Sequence, residues 1–168
     1  PALVRVLAGH EGGVLAVVRI DERRALSGSR DATLRLWDLA SGETLRVFRG
    51  HTSPVTALAA LDERHALSGS EDNTLRLWDL RSGETLRVFE GHTGGVLAVA
   101  ALDERHALSG SSDNTLRLWD LHSGETLRVF EGHTDEVTAL TALDERRALS
   151  ASKDKTLRLW DLTTGETL

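Results

Sequence analysis

Cysteine, methionine and tyrosine are absent from this 168-residue chain. Without cysteine there is no disulfide framework and no thiol chemistry. Without methionine the chain begins at Pro1, as a processed or trimmed product does. No apolar run approaches the roughly 20 residues of a membrane span, and there is no signal-peptide pattern. A natural chain of this kind is expected in the cytoplasm. Blocks of like charge are missing as well. The net charge is −6, with acids and bases interleaved throughout. A nucleic-acid surface needs a basic stripe, so neither a nucleic-acid nor a membrane partner is expected. There are no linkers or low-complexity segments, and the length suits one domain.

What the chain has is a period. Four Gly-His pairs, at His10, His51, His92 and His133, recur every 41 residues. Four Trp-Asp pairs, at Trp37, Trp78, Trp119 and Trp160, keep the same step. A fixed period of this size marks one supersecondary unit copied along the chain. A single copy cannot bury its own apolar face, so stacking must supply the core. The copies Gly50–Glu90 and Gly91–Glu131 differ at 6 of 41 positions. Such similarity means recent duplication or deliberate design.

Within the second copy, Val55–Leu61 reads as a short buried strand, and Asp62-Glu63-Arg64 as a polar turn. His65–Ser70 is a second strand, its small residues suited to close packing. Thr74–Trp78 alternates, with Leu75 and Leu77 on one side and Arg76 and Trp78 on the other. Ser82-Gly83 turns the chain again, and Thr85–Phe89 is a fourth strand. The turns are too short for crossover helices, so neighbouring strands are antiparallel. Four short antiparallel strands per ~40–45 residues make one blade of a β-propeller.

Each copy carries Gly-His, then Leu-Ser-x-Ser-x-Asp, then Leu-Arg-Leu-Trp-Asp. On these motifs the whole chain resembles the WD-repeat (Trp-Asp repeat) family of β-propellers. The resemblance implies a hydrogen-bond network inside each blade. It would join His10, Ser27, Asp31 and Trp37 in the first, and His51, Ser68, Asp72 and Trp78 in the second. The third would join His92, Ser109, Asp113 and Trp119, and the fourth His133, Ser150, Asp154 and Trp160. The donors and acceptors fit, because an indole N–H only donates, a hydroxyl does both, and His accepts at one nitrogen while donating at the other. Two departures stand out. The turn after the first strand is Leu-Asp-Glu-Arg in the second, third and fourth copies rather than the family's common Pro-Asp-Gly type, and Ala151 replaces the glycine found at Gly28, Gly69 and Gly110.

The expected fold is all-β: four-stranded antiparallel blades, four per chain, over 9–49, 50–90, 91–131 and 132–168. Residues 1–8 align with a fourth, outermost strand that has no blade of its own. The last blade stops short of its fourth strand, and Gly165–Leu168 is expected as an exposed tail. Propellers span about four to eight blades, and the resemblance implies a ring of about seven or eight. Four blades in one ring would each turn through about 90°, against about 45° in a ring of eight. Close-packed faces do not absorb that change. The expectation is therefore a homodimer, two chains forming an eight-bladed ring, each lending Pro1–Ala8 to the other's last blade. This arrangement leaves no open strand edge. A closed four-bladed monomer and a larger or open assembly are the alternatives.

No catalytic residue, cofactor or metal is expected. Equivalent histidines sit on different blades, not within about 2 Å of one ion. The Ser-His-Asp set of each blade has no oxyanion hole implied near it. Gly12-Gly13 and Gly94-Gly95 lack the Lys-Ser/Thr of a phosphate loop. His65 and His106 interchange with Arg24 and Arg147, which suggests a solvated position. Binding is sought where the copies differ, in two loops placed on one rim by the family geometry. Candidate rim residues are Glu11, Arg30, Ser53, Pro54, Glu71, Gly95, Ser112, Asp135, Glu136 and Lys153. Only Arg30 among them is of the anchor type common in protein-binding centres. Two functional readings stand. One is an engineered or reconstructed half-propeller that assembles with itself and has no certain native ligand. The other is a natural interaction scaffold binding peptides or proteins on the rim.

Overall fold

Short runs rich in Leu and Val, separated by polar turns, form strands throughout. A computed structural model describes residues 5–168, and among them every regular element is a β-strand. The first sheet contains β1 (Val14–Arg19), β2 (Arg24–Ser29), β3 (Leu34–Asp38) and β4 (Thr44–Phe48). The second contains β5 (Val55–Ala60), β6 (His65–Ser70), β7 (Leu75–Asp79) and β8 (Thr85–Phe89). The third contains β9 (Val96–Ala101), β10 (His106–Ser111), β11 (Leu116–Asp120) and β12 (Thr126–Phe130). The fourth has three strands, β13 (Val137–Ala142), β14 (Arg147–Ser152) and β15 (Leu157–Asp161). Strand order follows sequence order in each sheet, and all pairs are antiparallel.

The hairpin between the second and third strands of each sheet repeats one geometry. Its third turn residue is left-handed in every copy: Ala32 (φ 63°), Asn73 (φ 70°), Asn114 (φ 71°) and Lys155 (φ 72°). Every side chain carries a Cβ penalty there; Asn offsets it by local hydrogen bonding, whereas Ala and Lys have no such compensation.

The two middle sheets bury both faces against their neighbours, and the first and last bury one, which is why period-2 alternation does not sort their residues into core and solvent. Between the first two sheets lie Leu26, Leu34, Phe48, Val55, Ala66 and Trp78. The same set, shifted by one repeat, fills the next two interfaces. Phe48 meets Trp78 edge-on at 5.7 Å, and Phe89 and Phe130 meet Trp119 and Trp160 likewise. The first strands β1, β5, β9 and β13 contact one another in turn and so line the inner side of an arc. There the Thr56 hydroxyl donates to the Val96 carbonyl of the next sheet.

The arc is open. Val55, Val96 and Val137 are fully buried, whereas Val14, at the same place in the first sheet, is 57% exposed. Leu34, Leu75 and Leu116 are buried, whereas Leu157 in the last sheet is 66% exposed. Val17 and Leu39 on the first open face, and Leu143 on the last, are exposed as well.

The strand expected over Pro1–Ala8 falls partly on residues 1–4, outside the described residues, and Arg5–Ala8 forms no strand. Arg5 lies across Gly42 as Arg46 lies across Gly83 and Arg87 across Gly124. Glu166–Leu168 is exposed, as expected, but it is not an unpaired tail. Thr167 bridges Trp160, and the Leu168 N–H donates to the Leu159 carbonyl at 2.8 Å. Gly165–Leu168 therefore starts a fourth strand on β15, because the backbone groups along that edge need partners.

Candidate functional site

In each sheet the loop before the first strand, the end of the second strand and the middle of the third converge on one polar cluster. In the second sheet the Trp78 indole N–H donates to Ser68 Oγ at 2.8 Å. The Ser68 hydroxyl stands 2.6 Å from His51 Nε2, and His51 Nδ1 stands 2.7 Å from Asp72 Oδ2. The chain of donors reads Trp to Ser to His to Asp, with neutral His51 protonated at Nδ1, a tautomer assigned from the network. The third sheet repeats it with Trp119, Ser109, His92 and Asp113. The fourth does so with Trp160, Ser150, His133 and Asp154, and the first with Trp37, Ser27, His10 and Asp31.

The clusters contain a member that motif reading left out. Thr74 donates its hydroxyl to Asp72 Oδ1 at 2.7 Å and its N–H to the same oxygen at 3.0 Å. Thr33, Thr115 and Thr156 do the same in their sheets. A threonine two residues after each network Asp was the available signal. The Asp of each Trp-Asp pair was also given no role. Asp79 accepts the N–H groups of Arg81 and Ser82 at 2.7 and 2.9 Å, and its other oxygen pairs with Arg64 at 2.8 Å. It ties the turn after the third strand to the turn after the first.

Charge is settled inside these clusters. Burial pushes the Asp113 carboxyl up, but hydrogen bonds from Thr115 and His92 outweigh it and hold the group at about 2. Asp72 is lowered by the same balance, with Thr74 and His51 as donors. Burial holds His51 and His92 below the ordinary 6.5, against the pull of Asp72 and Asp113 and with help from Arg76 and Arg117. In the second and third sheets neutral His51 and His92 stand beside ionised Asp72 and Asp113.

This chemistry leaves the Ser-His-Asp geometry without an exit. Ser68 is fully buried, and its oxygen already accepts the Trp78 N–H. An electrophile has no approach to it. Among the described residues no cluster of three His, Asp or Glu side chains is placed to hold a metal ion. His65 and His106 are not freely solvated: each pairs with the Asp that caps its turn, Asp62 and Asp103, at 2.8 and 2.9 Å. Arg24 and Arg147 take the same partners, Asp21 and Asp144.

The variable loops lie next to one another. Arg30 donates its N–H to the Gly13 carbonyl, beside Glu11; Glu71 donates to Pro54, next to Ser53; Ser112 donates to Gly95; Lys153 donates to Glu136, next to Asp135. The Lys153 ammonium also meets the Glu136 carboxylate at 2.7 Å. Glu11, Arg30, Glu71, Asp135 and Lys153 are exposed; Ser53, Pro54, Gly95, Ser112 and Glu136 are half-buried. A methyl on Gly95 would come within 3.2 Å of the Glu71 Cα of the sheet before it, so the loops of the second and third sheets lie close together.

Four repeated sheets stacked in an arc, each stitched by the same buried network, define part of a β-propeller. The chain belongs to the WD40 family (WD domain, G-beta repeat), whose model matches residues 1–38, 42–79, 83–120 and 124–161. Each matched unit ends at a Trp-Asp pair, and the second, third and fourth join the outer strand of one sheet to three strands of the next. The fold is similar to a solved structure described as "Structure of U3-55K", with a TM-score of 0.91 and 27% identity over 98% of this chain and 53% of that one. A "Crystal structure of RRP9 WD40 repeats" gives the same TM-score and identity, covering 98% of this chain and 52% of that one. The chain thus spans about half the length of these structures. No curated protein matches it.

Proposed function

We propose that this chain is a non-enzymatic WD-repeat scaffold that closes its ring with a second copy, eight blades in all. One observation carries the reading. The two uncovered faces are the two halves of an interface that the chain forms three times with itself. The first sheet presents Val14 and Val17 where later sheets bury Val55 and Leu58 against a neighbour. The last sheet presents Leu157 where earlier sheets bury Leu75 and Leu116. An identical copy carries the matching face for each, and a two-fold axis satisfies both at once. Exposed apolar faces of this kind call for a partner.

Three further features support it. The arc follows about half of much longer propellers at a TM-score of 0.91, so its curvature suits a large ring rather than a closed ring of four. Thr138 repeats Thr56, whose hydroxyl crosses to the next sheet, yet among the described residues it reaches only the Ala151 carbonyl at 3.4 Å. Arg5 already sits over Gly42 as an outer-strand arginine sits over the following blade. In the ring, Gly165–Leu168 starts the last blade's outer strand, and the other copy's segment from Arg5 continues it. The blade limits are 9–49, 50–90, 91–131 and 132–168, with 1–8 given in exchange. The near-identity of the repeats supports an engineered or reconstructed origin from one blade.

Light scattering tests the reading. A mass of about 37 kDa, twice 18.3 kDa, is expected. A mass of 18.3 kDa at all concentrations refutes it. The rim carries the second reading, a docking surface for peptides or proteins, because its loops hold the residues that vary. Charge-reversal at Arg30 and Lys153 abolishes capture of such a partner while leaving the mass unchanged.

A further inference from the structure

Within the chain, three interfaces share one close fit. A methyl on Gly28 would come within 2.6 Å of Val55 Cγ1, and one on Gly69 within 2.5 Å of Val96 Cγ1. At Gly110 the clash would be with Val137 Cγ1 at 2.6 Å. Rotating the valine gives no relief, since its Cβ also lies 3.1–3.2 Å away and its χ1 is stiff. The fourth position carries that methyl, as Ala151. It is on the open face of the last sheet, where among the described residues nothing covers it. In the paired ring, Val14 of a second copy arrives there. A second departure sits at the outer edge. Phe48, Phe89 and Phe130 wedge against Trp78, Trp119 and Trp160, but the residue one repeat before Phe48 is Leu7. The joint that Leu7 would serve has a methyl too many near the inner strands and an aromatic ring too few at the outer one.

We propose that the joint between copies is a distinct interface, held apart where Ala151 of one copy meets Val14 of the next, and is the place where the ring opens. The inference rests on the paired-ring reading. Its partner is a second copy of this chain, recognised by the Val14–Val17 face and by Thr138, whose hydroxyl takes the Val14 carbonyl as Thr56 takes that of Val96. Blades inside a chain stay together because Gly and Val nest and Phe meets Trp. The joint between chains keeps the same plan with a worse fit. Both copies contribute such a joint, so each change in it counts twice in the dimer.

The test compares the wild type with Ala151→Gly, Val14→Ala and the double variant. Dimer dissociation is read by a dilution series in light scattering. Exchange between isotope-labelled and unlabelled copies, read by native mass spectrometry, covers dimers too tight to dilute apart. Ala151→Gly is expected to tighten the dimer or slow exchange by about tenfold or more. It restores the residue that three other strands already carry, so the fold accepts it. In the Val14→Ala background the same change is expected to give less than about half that gain on a logarithmic scale, because the two side chains oppose each other. A dimer whose affinity and exchange rate do not respond to Ala151→Gly overturns the inference while leaving the paired ring standing. An equal gain with and without Val14 also overturns it. A monomer in every variant refutes the paired ring and the inference together.

Discussion

Gly69 lies directly beneath Val96, so close that a single methyl at position 69 would approach the valine Cγ1 to 2.5 Å. Two sheets meet there without room for one more carbon. Gly69→Ala is therefore expected to destabilise the fold by about 1–3 kcal/mol through overpacking. Denaturant unfolding should show a lower midpoint. The same substitution already present at Ala151 produces no such strain within the chain, because that face is uncovered.

Ser68 is the hinge of its network, accepting from Trp78 and donating to His51. Ser68→Ala leaves both the indole N–H and the imidazole nitrogen buried without partners. Each stranded group costs about 1–3 kcal/mol. Thr74→Val keeps the shape and removes only the hydroxyl to Asp72, so its expected loss is smaller. Calorimetry on both variants gives the order, and a Ser68→Ala protein as stable as the wild type would contradict the network's structural role.

Stability is expected to fall steadily with acidification. His51 and His92 have folded pKa values below the ordinary 6.5. Between the folded and unfolded values the unfolded chain binds more protons, so their contribution is full above about 6.5 and disappears as the pH falls through the folded pKa. Asp113, held at about 2 against an ordinary 3.8, contributes above 3.8 and stops contributing as the pH falls through about 2. Both slopes have the same sign. Unfolding midpoints measured from about pH 7 to about pH 3 should decline. His51→Gln with His92→Gln should flatten the upper part and spare the lower.

Ala32 occupies a left-handed turn position at φ 63°, where Asn73 and Asn114 stand in the sister turns. Ala32→Asn is expected to stabilise the first sheet by about 0.5–1 kcal/mol, because the short amide side chain hydrogen-bonds locally and offsets the strain of the left-handed turn. Lys155→Asn should act in the same direction in the last sheet. Thermal melts of the two single variants and their combination should show additive gains, as the two sites are far apart in the sequence and lie in different sheets.

Much of this architecture was legible in the sequence because it is local and repeated. The strands His65–Ser70 and Thr85–Phe89 coincide with β6 and β8, and the strand placed at Thr74–Trp78 moves by one residue to Leu75–Asp79. The resemblance to the WD-repeat family brought His51, Ser68, Asp72 and Trp78 into view, and each copy repeats them. Thr74 and Asp79 were equally regular but were missed: one looks like any strand-edge threonine, and the other like a turn residue. The pairing of Gly165–Leu168 with β15 was missed for another reason. It depends on which segment takes a vacant edge, and no motif records that competition.

The sequence alone determined the period of 41, the all-strand blade and the residue types of its buried network, because those follow from hydrogen-bonding capacity and turn chemistry within one copy. Only the tertiary structure decided which faces are covered. Val14 and Val55 occupy the same place in the repeat, yet one is exposed and the other fully buried. Burial is a property of what stands opposite a residue, and a repeated sequence does not record where the stack of sheets ends.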